Sequence, residues 1–153
     1  MTAMMIYDTS TREIEALAGA IRLNRLVNRP GILENICPGV PEDKALDLSA
    51  RALAPETVLI FYDDLNAGLF FPHNKRLYEG HYLFATLRGK NARIVAQWMC
   101  RAVFDYTPAA GIVGQVPLAH RAARVMSRAI GCKPVGESVD CHGRSCITYL
   151  MER

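Results

Sequence analysis

Residues 76–95 read RLYEGHYLFATLRGKNARIV. An alternating, partly apolar run leads into a short Arg-Gly-Lys turn, and a helical apolar pattern leaves it. The stretch therefore points a strand at the N-terminus of a helix. There the first N–H groups lack intrahelical acceptors and the helix dipole favours an anion. Gly89 permits a positive φ or a close backbone approach. Arg88 and Lys90 add positive charge, so a di- or polyphosphate suits the turn better than a carboxylate. Taken alone, the turn also fits an ordinary strand-to-helix connection with two solvated cations. Within the strand, Glu79, His81 and Leu83 fall on one face, and Tyr78, Gly80, Tyr82 and Phe84 on the other.

Working outward, TVLIFYD (57–63) and AGLFFPHN (67–74) are β-branched or aromatic runs separated by a DLN turn. With 76–86 they predict three consecutive strands, an antiparallel meander. Residues 3–7, AMMIY, predict a first strand. Asp8, Thr9, Ser10 and Thr11 then offer caps to a helix with Ile14, Leu17, Ala18 and Ile21 at helical spacing. That helix is expected to end near Asn28, because NRPG is breaker chemistry. VPEDKALDLSARALA (40–54) predicts a second helix, with Pro41 near its start and Leu46, Ala50 and Leu53 on one face.

Downstream, a long helix is predicted from about Asn91 to Asp105, with Val95, Trp98, Met99, Ala102, Val103 and Tyr106 as its apolar stripe. GIVGQVP (111–117) reads as a short strand. A helix from about Leu118 to Ile130 places Ala122, Val125, Met126 and Ala129 inside and ends on Gly131. KPVGESVD and SCITYLME supply two last strands. The order β-α-α-β-β-β-α-β-α-β-β describes an α/β sandwich with mixed strand directions, in one domain spanning residues 1–153.

Half of the 153 residues are hydrophobic and 22% are charged, which excludes disordered and fibrous classes. A net charge of +3 suits an anionic ligand but falls well short of a dedicated nucleic-acid binder. No window is apolar enough for a membrane span. The start, MTAMMIYDTSTREIEALAG, lacks the pattern of a secretory signal, so a cytoplasmic protein is expected. Five cysteines, an odd number, suggest free thiols in a reducing compartment. Cys141, His142 and Cys146, with Cys132 as a possible fourth ligand, raise a metal site. DCHGRSC equally reads as a polar turn between two strands, its spacing is not a common zinc pattern, and we assign it no metal. Arg121, Arg124 and Arg128 share one helical face, either solvated or facing phosphates, nucleic acid or an acidic partner. His73 reads as a loop residue and Trp98 as core.

The segment from Tyr78 to Gly136 resembles the GNAT N-acetyltransferases, particularly small versions encoded by tailed bacteriophages. YEGHYLF looks like their fourth strand, LRGKNAR like their acetyl-coenzyme A pyrophosphate loop, and GIVGQVP like their fifth strand. HRAARVMSRAIGCKPVG resembles the helix and turn that follow. The resemblance implies a three-layer α/β/α sandwich with a mixed, mostly antiparallel sheet. It implies that the backbone near Leu83 and Phe84 pairs with the pantetheine arm. Arg88, Gly89, Lys90, Asn91, Ala92 and Arg93 would then hold the pyrophosphate, with His120 also in the cofactor site. Glu79 and His81 become candidate general bases, and the activity implied is transfer of acetyl from acetyl-CoA to an amine by direct attack. The oxyanion would be met by strand N–H groups.

Several positions depart from the family pattern. Asn91 and Arg93 stand where small residues are usual. Asn91 either keeps the turn, since Asn tolerates left-handed backbone, or caps the helix; Arg93 either reaches a phosphate or crowds it. His120 replaces the usual Asn, and Cys132 the usual Phe. Ser127 stands where many members carry a Tyr that protonates the leaving thiolate, and a serine hydroxyl is a poor acid for that task. These departures keep open a second reading: a catalytically inactive GNAT-like fold that serves as a structural or protein-binding component, such as a phage virion protein.

Overall fold

The computed structural model describes residues 5–8, 13–41 and 43–153. The chain divides into two compact units interleaved in sequence, one from residues up to Phe71 with His81–Arg88, the other from Pro72–Gly80 with Gly89–Arg153.

The first unit holds β1 (Met5–Asp8), α1 (Glu13–Val27), α2 (Pro30–Ile36), α3 (Ser49–Ala52), β2 (Val58–Asp63), β3 (Asn66–Pro72) as far as Phe71, and the later half of β4 (Leu77–Phe84). β1 pairs antiparallel with β2, and β2 antiparallel with β3. Leu59, Phe61, Ala67, Leu69 and Leu83 form one buried cluster with Ala20, Leu23, Leu26 and Val27 of α1. Val58 and Ile60, which alternate with Leu59 and Phe61, are also buried. Both faces of β2 are thus covered, the pattern of a sandwiched strand rather than a half-solvated one.

The expected strands lie within a residue or two of their observed bounds, but the helical part differs. Residues 3–4 and the caps expected at Thr9, Ser10 and Thr11 lie outside the described residues. NRPG does end α1, yet Pro30 also opens α2 at its first turn, where the missing N–H and fixed φ suit a helix start. The second helix expected over 40–54 is reduced to the four residues of α3. Asparagines of α1 explain why. Asn28 accepts from the Leu46 N–H (2.7 Å) and donates to the Leu46 carbonyl (2.8 Å), and Asn24 accepts from the Leu48 N–H (2.8 Å). These bonds hold the Leu46–Leu48 backbone outside a helix. Asp47 then accepts from the Ser49 N–H at 2.8 Å, and its bonds from Ser49 and Asn24 hold the carboxyl below its ordinary range.

The second unit holds the start of β4, α4 (Gly89–Tyr106), β5 (Gly111–Pro117), α5 (Arg121–Ile130), β6 (Lys133–Val139) and β7 (Ser145–Glu152). β5 runs parallel to β4 across Leu77↔Gly111, Tyr78↔Ile112 and Glu79↔Val113. On its other side it pairs antiparallel with β7 along its whole length, and β7 pairs antiparallel with β6. The pairing is therefore mixed and mostly antiparallel, as expected. Gly131 ends α5 at φ +109° and takes the left-handed cap position predicted for it.

Two expectations about helix faces need correction. Val95, Met99, Ala102 and Val103 of α4 are buried, with Ala92, Ala96, Cys100 and Phe104 beside them. Trp98 is 55% exposed and Tyr106 72%, so neither is core. The apolar face of α5 is not core either: Ala122, Val125 and Ala129 are exposed, and only Ile130 is buried.

Candidate cofactor-binding site

In the second unit the first turn of α4 and one face of α5 line a cavity of about 760 Å³. Gly89, Lys90 and Arg93 come from α4; Arg121, Ala122, Val125, Met126 and Ala129 come from α5. The α5 residues recur at i, i+1, i+4, i+5 and i+8, one continuous helical face. The cavity thus has an apolar wall and three cations, and none of its lining residues is acidic.

Gly89 begins α4 with φ +53°, the left-handed conformation that favours glycine. Asn91 does not share this role. Glu56 is the only non-glycine with positive φ among the described residues, and Asn91 lies within the first helical turn rather than at the cap. The left-handed step falls on Gly89, so Asn91 has no need to mimic a second glycine. Arg93, one turn into α4, lines the cavity, whereas the side chain of Ala92 is buried.

Arg88 belongs to the first unit and turns back on its own loop. Its guanidinium donates to the carbonyls of Phe84 (3.1 Å), Ala85 (3.1 Å) and Leu87 (2.7 Å). The same loop is anchored by Asn66, which is fully buried. Its carbonyl oxygen accepts from the N–H groups of Thr86 and Leu87, and its amide donates to Asp63 and Thr86. In the sequence, Asn66 has only the look of a turn residue, the last of DLN.

His120 is the N-cap of α5, its Nδ1 accepting from the Ala123 N–H at 3.1 Å. Ser127 donates its hydroxyl to the Ala123 carbonyl at 3.0 Å. Of the arginine face, Arg121 lines the cavity, Arg128 is exposed, and Arg124 is partly buried. Glu79 is partly buried in the second unit, opposite Val113. His81 is an exposed residue of the first unit, its ring stacked on Phe71. Leu83 lies in the first unit's core, and Phe84 is half-buried in the same unit.

DCHGRSC is a turn built around Asp140. Its carboxylate accepts from the His142 N–H (2.9 Å) and the Arg144 N–H (2.9 Å), and meets the Arg144 guanidinium at 2.6 Å. Gly143 supplies φ +76°. Desolvation pushes the Asp140 carboxyl up, but the bonds from Arg144 and His142 and the Arg144 charge outweigh it and hold the group low. Burial, with Cys100 nearby, pushes the Cys132 thiol up to about 12. Among the described residues, no three His, Cys, Asp or Glu side chains are grouped to hold a metal ion. No described helix is long and apolar enough to cross a membrane.

No protein-family model matches the chain, and no curated protein matches it. Solved structures do. The aminoglycoside acetyltransferase AAC(6')-Ib, solved with coenzyme A and kanamycin, is similar at TM-score 0.68 and 10% identity, over 99% of this chain and 94% of that one. A GNAT-family acetyltransferase from Bacillus anthracis is similar at TM-score 0.61 and 14% identity, over 97% and 94%. The fold is that of the GNAT acetyltransferases. A spermidine N-acetyltransferase chimera, built from a Vibrio cholerae enzyme and hSSAT, shares this GNAT fold at TM-score 0.64 and 12% identity, over 97% and 95%. At these identities the likeness is one of fold.

The apolar face of α5 was legible as a face but not as a wall. A run of Ala, Val and Met at helical spacing looks the same whether it meets a core or a ligand. Arg121 at its edge was the available signal.

Proposed function

We propose that the protein is a GNAT-type acyltransferase that moves acetyl from acetyl-CoA to an amine. The observation that carries this reading is the cavity of α4 and α5. Its volume, about 760 Å³, lies within the range of cofactor sites. Free N–H groups at the start of α4, with Lys90, Arg93 and Arg121, suit a pyrophosphate, and the α5 wall suits the uncharged parts of a coenzyme. The similar structures of AAC(6')-Ib carry coenzyme A or acetyl-CoA together with an aminoglycoside, which supports the same donor and an amine acceptor here.

In this reading acetyl-CoA supplies an activated thioester. Gly89 to Arg93 bind and orient its pyrophosphate by backbone N–H groups. His81 or Glu79 takes the proton released as the amine attacks. Calorimetry with coenzyme A tests the reading: binding in the micromolar range is expected, and no binding at millimolar ligand overturns it.

One observation favours a second reading, a GNAT-like chain without catalysis that serves as a structural or protein-binding component, in a phage virion or elsewhere. The Ser127 hydroxyl is already donated to a helix carbonyl, so the residue at the family's acid position has no proton aimed at a leaving group. Failure of every primary amine tried to release coenzyme A, together with a stable oligomer in solution, supports this reading over the first.

A further inference from the structure

In the second unit α4 carries a narrow stripe outside its buried face. Asn91, Ile94, Trp98, Arg101 and Asp105 recur at i, i+3, i+7, i+10 and i+14, the spacing of a coiled-coil seam. All five are exposed, Ile94 at 47% and Trp98 at 55%. The buried face, which runs from Ala92 through Val95 and Met99 to Val103, lies to one side of them. None of the five lines the cavity between α4 and α5.

The charges of α4 also run against its own dipole. Lys90 stands in the first turn, which has no acidic residue, and Asp105 in the last, which has no basic one. Each end thus carries the sign of charge that an isolated helix disfavours there. A second helix laid antiparallel beside it corrects both ends at once.

We propose that this stripe is the interface of a homodimer, in which α4 packs antiparallel on α4 of a second copy about a twofold axis at Trp98. The stripe is complementary to its own reverse. With Trp98 facing Trp98 of the second copy, Ile94 falls beside Arg101 of the second copy. Asn91, with the adjoining Lys90, falls beside Asp105 of the second copy, and symmetry makes each of these contacts twice. The indoles and Ile94 then cover one another and the apolar stem of Arg101, while each carboxylate meets a cation and a helix N-terminus. A parallel pair would instead set Arg101 against Arg101 and Asp105 against Asp105. A single-stranded nucleic acid would also stack on Trp98, but Asp105 at the end of the stripe repels phosphate. One helix face is smaller than the roughly 800 Å² per partner of a standard interface, so a weak dimer is expected, with a Kd of about 10–100 μM. The proposal stands whether or not the chain transfers acetyl.

Sedimentation equilibrium of the full chain tests it, with the fluorescence of Trp98 as a local readout, since Trp98 is the one tryptophan in the sequence. A monomer–dimer equilibrium in that range is expected, with the emission moving to shorter wavelength as dimer forms. Trp98→Glu and Asp105→Arg should each weaken association by about tenfold or more. Adding Lys90→Glu to Asp105→Arg restores opposite charges across the antiparallel pair and should return the Kd to within about threefold of wild type. Loss in the single variants without that recovery overturns the antiparallel arrangement. A chain still monomeric at about 1 mM, tenfold or more above the expected Kd, overturns the proposal. So does a dimer that Trp98→Glu leaves intact; its loss in Leu17→Glu would place it on α1, where Ile14, Leu17 and Ile21 are exposed. Quenching of Trp98 by oligothymidine in a chain that stays monomeric would also overturn it, and would assign the stripe to single-stranded nucleic acid.

Discussion

Asn66 and Thr86 are joined twice: the Asn66 amide donates to the Thr86 hydroxyl at 2.7 Å, and its carbonyl oxygen accepts from the Thr86 N–H at 3.2 Å. One buried side chain at the start of β3 thereby fixes the loop that delivers the chain to Gly89. The same oxygen accepts from the Leu87 N–H at 3.0 Å, and the amide also reaches Asp63 at 2.8 Å.

Removing this hub takes a partner from the Asp63 carboxylate and from the Thr86 and Leu87 N–H groups at once, in a part-buried setting. Asn66→Ala is expected to destabilise the protein by about 2–4 kcal/mol, measured by urea denaturation. Asn66→Asp keeps the shape but sets a second carboxylate beside Asp63. It should be more stable relative to wild type at pH 4 than at pH 7, because protonation relieves the repulsion. An Asn66→Ala protein as stable as wild type would show that these bonds do not hold the loop.

Gly89 has open space where a Cβ would point, but its φ is +53°. Gly89→Ala should therefore strain the backbone without a clash, costing about 1–2 kcal/mol, and weaken coenzyme A binding about tenfold by calorimetry. Gly143 is a control, since it too has positive φ and open space, in the turn before β7. Gly143→Ala should lose comparable stability with coenzyme A affinity unchanged. Equal losses of affinity in both variants would mean that the effect reports stability rather than the site.

Ser127 donates its hydroxyl to Ala123, so its loss removes no proton that chemistry needs. Ser127→Ala is expected to keep kcat for acetyl transfer within twofold of wild type. A fall of a hundredfold would instead make Ser127 part of the reaction.

Asp140 has its carboxyl held low in the folded chain, chiefly by bonds from Arg144 and His142 acting against desolvation. A depressed folded pKa contributes stability that is present above the unfolded value, about 3.9, and fades as pH falls through the folded one. The stability difference between wild type and Asp140→Asn should therefore be full at pH 7 and shrink below pH 4, as read from denaturation midpoints. A gap that stays constant with pH would show that the carboxylate charge is not what the turn uses.

The strands were the legible part of the fold. Short β-branched and aromatic runs such as GIVGQVP fell within sharp turn signals, and Gly131 announced its cap by position alone. The differences from expectation share a cause: local pattern does not show which partner a residue finds. Pro30 marks an ending in the sequence and is also a beginning in the fold. Leu46 and Leu48 matched a helix, but Asn28 and Asn24, about twenty positions earlier in the chain, had taken their backbone groups. Trp98 fitted an apolar stripe, yet the stripe that is buried lies to one side of it. The Arg-Gly-Lys turn was readable as a strand-to-helix junction because its chemistry is local, and Gly89 does open α4 at positive φ. The role of Asn66 was not readable, because its partners at Thr86 and Leu87 lie twenty and twenty-one positions away.

The exposed Ala122, Val125 and Ala129 couple the melting of this protein to its surroundings. A ligand that seats on this face and has no affinity for the unfolded chain raises the unfolding midpoint as its concentration climbs. At a hundred times its Kd, the added stability is about 2.7 kcal/mol. On the acetyltransferase reading, the helix makes the protein its own gauge for acyl donors. A melting screen across thioesters of different chain length would rank them before any acceptor amine is known.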